Sequence, residues 1–138
     1  MNTSLGVLGL LLENASRMHG HTGPFLALGI RAGLRGIELL GYNPFRMKIK
    51  VISKKARPYT CFIDGLQYVT SCTLGKGNIE LEEGEGLIAL FEVDERRVFI
   101  KVKDNILSYA LKPSEEGLEE AAGKILLMRE DDLFEIKI

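Results

Sequence analysis

Residues 19–40 read HGHTGPFLALGIRAGLRGIELL, and this stretch decides how the N-terminal half folds. Pro24 has the φ of a first helical turn built into its ring, Thr22 can cap that turn, and Gly41 stands where a helix ends. The pattern predicts a helix over Pro24–Leu40. Along it Gly29, Gly33, Gly36 and Leu40 recur at spacings of four, three and four, a thin stripe against which another helix or a sheet can approach closely. A glycine inside a helix costs roughly 0.8 to 1.0 kcal/mol relative to alanine, so three of them imply tight packing that offsets the loss. Packing within the chain is the first reading of the stripe, and a contact between subunits is the second.

Outward from this helix, the leucine-rich run Leu5 to Met18 reads as a short, largely buried helix that delivers the chain to the histidines. Met47, Ile49 and Val51 alternate with Lys48 and Lys50, the period of a strand with one wet face. Thr60 to Ser71 has helix length, and Gly75-Lys76-Gly77-Asn78 supplies a sharp turn. Leu87–Val93 and Val98–Lys103, joined by Asp94-Glu95-Arg96-Arg97, form an antiparallel hairpin. Ser114 then caps a helix with Glu115, Glu116, Glu119 and Glu120 near its start and Lys124 and Arg129 near its end, a polarity that suits the macrodipole. Leu133–Ile138 closes the chain as a strand. With no repeat, linker or low-complexity tract, the expectation is one α+β domain over residues 1–138, its N-terminal helices packed on a mainly antiparallel or mixed sheet.

Composition narrows the function classes. Eighteen Lys and Arg against nineteen Asp and Glu leave a formal charge of −1, which argues against nucleic acid or an anionic membrane as a partner. The apolar run Leu5–Leu12 is far shorter than the ~20 residues needed to span a bilayer. Without a secretory n-region the chain reads as cytoplasmic, with reduced thiols.

The chain's two histidines, His19 and His21, and its two cysteines, Cys61 and Cys72, all fall between positions 19 and 72. Imidazole and thiolate are the ligands that zinc and similar metals prefer, so the grouping points to a metal site. In an extended segment both rings of an H-x-H pair face one way; in a helix they diverge by about 200°. His21, next to the start of the second helix, is the first ligand, because the positive dipole end keeps its ring neutral. His19 either ligates as well or orients the site through a hydrogen bond. Cys61 and Cys72 cannot share an ion from one unbroken helix, since eleven residues advance ~16 Å along the axis. Either the helix breaks in Val69-Thr70-Ser71-Cys72-Thr73 or only one thiol ligates; the plain alternative is that both are small buried hydrophobes. Asp64 and Gln67 share a face with Cys61, and Asp64 either orients a histidine, takes a proton, holds a substrate group, or merely stabilises a helix dipole. Thr70 and Thr73 are candidates to supply hydroxyls. Lys76 between two glycines is not a nucleotide P-loop, because Gly77 follows it where Ser or Thr belongs; a single anion on Lys76 and backbone N–H groups is what remains.

Two of these strings, HGHTGPFLALGIRAG and CFIDGLQYVTSCTLGKGNI, together resemble the core domain of the FmdE family, named for the E subunit of formylmethanofuran dehydrogenase. The resemblance covers roughly residues 5 to 80. It implies that Cys61 and Cys72 both belong to the site, that the DGxQ string lines the same groove, that cores pair as homodimers, and that the setting is one-carbon or molybdenum-enzyme metabolism. Two departures stand out: the family commonly has cysteine where this chain has Gly23, and the cysteine-rich zinc ribbon of many members is missing, so the chain reads as a core-only member.

The expected protein is thus a metal-binding FmdE-like core whose zinc, or another divalent transition metal, is held by His21, Cys61 and Cys72 with His19 beside them. Asp64, Gln67, Thr70 and Lys76 line the site, and Cys72 and Asp64 are the candidates for catalysis. A homodimer is expected, with Pro24–Leu40 at or near the contact. The alternatives are an accessory or metal-delivery subunit, docked on a larger enzyme complex through the glycine-striped helix, and a metal-independent thiol enzyme with Cys72 as nucleophile and a histidine as base.

Overall fold

The computed structural model describes residues 5–113 and 117–138. In chain order these form α1 (Leu5–His19), α2 (Pro24–Leu40), β1 (Lys48–Ser53), α3 (Cys61–Thr70), a 3-10 turn (Leu74–Lys76), β2 (Ile79–Glu83), β3 (Ile88–Val93), β4 (Arg96–Val102), α4 (Asp104–Leu111), α5 (Leu118–Leu127), α6 (Glu130–Leu133) and β5 (Phe134–Lys137). The sheet runs β2-β1-β3-β4-β5. It is mixed: β1 and β2, joined through α3, pair in parallel, and the other neighbours are antiparallel. The α+β architecture expected from sequence is the one observed. No helix among the described residues is long and apolar enough to cross a membrane.

One sheet face carries the core. Ile49, Val51, Ala89, Phe91, Val93, Val98, Ile100 and Val102 are buried on it, each two residues from the next along its strand, as the pleat requires. Between that face and the outer helices lies α2, which buries an unbroken run from Pro24 to Ile30 and then Ala32, Gly33, Gly36 and Leu40. Arg31 reaches from α2 to the end of α5, where Nη1 donates to the carbonyl oxygens of Ile125, Leu126 and Met128 at 2.8–2.9 Å. That supplies the donors which a helix C-terminus lacks.

The glycine stripe is used inside the chain. A Cβ on Gly29 would collide with the carbonyl oxygen of Phe62, and one on Gly65 with that of Leu26. The two helices therefore touch backbone to backbone. Gly33 makes room for Val69, and Gly36 for the Phe91 ring. The stripe is accordingly unavailable to a second copy or to a larger complex, and neither the expected dimer contact nor the expected docking through it can use these glycines.

Several local details differ from expectation. Gly23, not Thr22, is the N-cap of α2, with extended backbone and no side-chain cap; the Thr22 hydroxyl donates instead to Ser16 Oγ at 2.8 Å. β4 starts two residues early because a two-residue turn, with Asp94 at φ 56°, closes the hairpin. Strand β2 was not expected, although Ile79 and Leu81 alternate with Glu80 and Glu82; its acidic residues obscured the period. Helix α4, whose Ile106 and Ala110 face the core, was likewise missed. The cap expected at Ser114, with Glu115 and Glu116, lies outside the described residues; the helix it was to start begins at Leu118 behind Gly117.

Gly29→Ala and Gly65→Ala should each lower stability by about 1 to 3 kcal/mol, the usual cost of overpacking, seen as a fall of several degrees in Tm. Gly9→Ala is the control. Nothing lies within 4 Å of its would-be Cβ, so it should raise stability by roughly 0.8 to 1.0 kcal/mol through helix propensity. Equal behaviour of the three variants would contradict the α2–α3 contact.

Candidate functional site

The site is built where α1 ends above the first turns of α3. Helix α1 stops at His19, and Gly20, at φ +107°, lets the chain leave the helix axis. Helix α3 buries Phe62, Gly65, Leu66 and Thr70 and so turns Cys61, Asp64 and Gln67 the other way, one helical turn apart. His19 Nδ1 meets Asp64 Oδ2 at 2.5 Å, with the His19 side chain 11% and the Asp64 side chain 35% exposed. With Nδ1 donating to the carboxylate, the neutral ring presents Nε2 as its free lone pair. His21 stands edge-on to His19, ring centroids 5.0 Å apart. It is exposed, and its Cε1 sits 3.0 Å from where a Cβ on Gly23 would be.

His19, Cys61, Asp64 and Gln67 line one cleft of about 430 Å3, within the range of small-molecule sites. Arg57 and Thr60 flank it ahead of Cys61, and Ile63, Leu74, Ile79 and Leu81 give it an apolar wall, with Glu80 at the strand side. Gln67 also braces the rim: its Oε1 accepts from the Leu74 N–H at 2.8 Å. Burial pushes the Cys61 thiol above its ordinary range and nearby Asp64 pushes it further, while Arg57 pulls it down. A larger hollow, about 770 Å3, lies on the open face of the sheet among Lys48, Lys50, Leu90, Phe99 and Lys137. It holds no imidazole or thiol, and its lysines are what a solvated sheet face carries.

The other thiol goes elsewhere. The chain leaves α3 through Ser71 at φ 61°, the break that the β-branched and hydroxyl residues there favour, and then turns into the core. Cys72 is fully buried, its Sγ 3.5 Å from the Met47 carbonyl oxygen and its N–H donating to Thr70 Oγ1 at 3.1 Å. Burial raises its pKa, partly offset by the Thr70 hydrogen bond and by Lys76. Cys61 opens α3 and Cys72 follows its far end, past a ten-residue helix with about 15 Å of axial rise. The Thr70 hydroxyl donates to Leu66 O at 2.7 Å within α3. Lys76 folds onto Thr73 Oγ1 at 3.2 Å and over the Phe45 ring. Cys72, Thr70 and Lys76 are not among the residues that line the cleft.

Among the described residues no three His, Cys, Asp or Glu side chains gather closely enough to hold a metal ion. The full set of His19, His21, Cys61 and Cys72 is therefore not assembled; His19 and Cys61 are the two members that share the cleft, together with Asp64. Arg57, Thr60 and the β2 residues were missed at the sequence level. Arg57 lies four residues before Cys61 and seven before Asp64, a helical spacing, but it precedes the helix and gave no periodic signal.

In the native, chelator-treated protein one thiol per chain should react with iodoacetamide, and the second only in denaturant. Because the thiolate is the nucleophile and the pKa of Cys61 is raised, its labelling rate should keep climbing above the ordinary thiol range. Arg57→Gln should move that profile to still higher pH by removing the one charge that favours the thiolate. Native labelling of both cysteines would contradict the burial of Cys72.

Two comparisons with known proteins bear on this site. A model of the family described as "FmdE, Molybdenum formylmethanofuran dehydrogenase operon" matches residues 18–135. An Archaeoglobus fulgidus protein, "Probable S-adenosyl-L-methionine-binding protein", is 32% identical over 126 residues, which cover 87% of this chain and 33% of that protein. The chain thus spans about a third of its relative's length. The family match takes in α2, α3, the cleft and nearly the whole sheet, and the chain belongs to the FmdE family.

Proposed function

We propose that the cleft is a small-molecule site in which Cys61 and the Asp64-oriented His19 carry the chemistry. The observation that supports this is the 2.5 Å His19–Asp64 bond in a cleft that Cys61 also lines. A carboxylate on Nδ1 holds the ring in one orientation and leaves Nε2 as the nitrogen with the free lone pair. Cys61 rests as a neutral thiol, so nucleophilic use of it requires a base. In this reading Nε2 takes the proton from Sγ or from an acidic group of the substrate, and the imidazolium is stabilised by Asp64. The thiol at work is Cys61, where the sequence had suggested Cys72, which lies sealed in the core.

A second reading uses the same pair. The hydrogen bond from Nδ1 to a carboxylate is also what metal-binding histidines make, and His19 Nε2 with the Cys61 sulfur has the donor chemistry that zinc and related ions accept. His21 is the nearest further imidazole. A bound ion would supply Lewis acidity; Asp64 would still fix the ring, and Cys72 would take no part. The family's description, which names the molybdenum formylmethanofuran dehydrogenase operon, supports a setting in the context of that enzyme. The name of the Archaeoglobus relative makes an S-adenosyl compound one ligand worth trying. An accessory subunit would have to dock through another surface than the glycine stripe, which α3 and Phe91 cover.

The test is elemental analysis of untagged protein together with Cys61 alkylation at pH 7, for wild type, His19→Ala, Cys61→Ser and Cys72→Ser. Metal near one ion per chain, lost in His19→Ala and Cys61→Ser but kept in Cys72→Ser, is the outcome of the second reading. Without metal, the first reading has His19→Ala slow the alkylation of Cys61 on the order of tenfold, the equivalent of one pKa unit. No metal and no effect of His19→Ala would sink both.

A further inference from the structure

We infer that Arg57 anchors a carboxylate of the small molecule that the cleft takes, so that the ligand is an anion with an apolar body; this rests on the cleft being the functional site. Arg57 lines the cleft beside Cys61 and Thr60 and lies close enough to the thiol to act on it electrostatically. No ion pair or hydrogen bond to any described residue engages its guanidinium. Arg17 is exposed on α1; the six remaining arginines give a contrast. Arg31 caps α5, Arg35 pairs with Glu38 and Glu130, Arg46 with Asp94, Arg96 donates to Leu40 O, Arg97 pairs with Glu92 and Arg129 with Asp131. A guanidinium fork left open in a cleft next to a nucleophile matches the geometry of a carboxylate.

The remaining walls of the cleft set the character of the ligand beyond its head group. The N–H groups at the start of α3 are already used, Cys61 N on Pro58 O and Phe62 N on Tyr59 O, so Arg57 and the Thr60 hydroxyl are the donors that remain at this end. Beyond them Leu74, Ile79, Leu81 and Ile63 offer apolar surface. Two carboxylates also face the space: Asp64, engaged by His19, and Glu80, 3.8 Å from Lys50. Their like charge disfavours a dianionic phosphate more than a single carboxylate, which selects a monoanion. Held by Arg57, such a molecule occupies the cleft that Cys61 also lines.

The test compares an anionic and a neutral alkylating reagent of nearly the same size, iodoacetate and iodoacetamide, on chelator-treated full-length chain. In both reactions the Cys61 thiolate forms a bond to the methylene carbon, the carbon–iodine bond breaks, and iodide leaves with its electron pair. The ratio of the two rates cancels the thiolate fraction and reads only recognition of the carboxylate. For wild type that ratio should exceed the ratio for free glutathione on the order of tenfold, the effect of one charge-assisted hydrogen bond. Arg57→Gln should abolish the excess and Arg57→Lys keep part of it, with Cys61→Ser confirming the labelled residue. A wild-type ratio equal to that of glutathione, or one unchanged in Arg57→Gln, overturns the inference while leaving the cleft reading intact. Failure of both reagents to label native Cys61 overturns the cleft reading and the inference with it.

Discussion

The backbone contact between α2 and α3 is the constraint on which the rest of the structure depends. Gly29 and Gly65 lie against each other's helices with no room for a side chain on either, so the two backbones meet with no side chain between them. Such a contact fixes rotation as well as distance. With Phe62, Gly65, Leu66 and Thr70 turned inward, Cys61, Asp64 and Gln67 must face outward, toward the end of α1. Placing Asp64 under His19 is thus a consequence of helix packing, and the helix propensity lost at the glycines sustains the site indirectly.

The same helix explains why the two thiols have different fates. Cys61 opens α3 at the wet end of its polar stripe. Cys72 follows its C-terminus, where a left-handed residue redirects the chain beneath Met47. An α-helix of ten residues between them rules out a shared ion unless the chain doubles back, and it does not. What remains together is one imidazole, one carboxylate and one thiol, an arrangement suited to proton transfer and nucleophilic chemistry or to an open ion site with few protein ligands.

Electrostatics in the cleft is graded. Asp64 raises the proton affinity of the Cys61 sulfur, and Arg57 lowers it; an anion seated on Arg57 would weaken that second influence and leave the thiol in greater need of His19 as base. Under the proposed anchoring, binding and activation would be coupled through one side chain. The match to the FmdE family over residues 18–135 takes in all of these groups.

Local signals in the sequence determined much of the scaffold. Pro24 and Gly41 bounded α2, the alternation around Ile49 and Val51 gave β1, and the glycine spacing marked a close approach. Cys61, Asp64 and Gln67 shared a face because helical geometry alone puts them there. Tertiary structure decided what periodicity cannot encode: which remote group each face meets. That His19 rather than His21 pairs with Asp64, that Cys72 points inward, that β2 joins β1 in parallel and that Arg57 borders the cleft all depend on partners tens of residues apart. Side-chain patterns report burial within a turn or two of chain, whereas the direction of a residue just beyond a helix end, such as Cys72 after Ser71, is set by the elements that close over it.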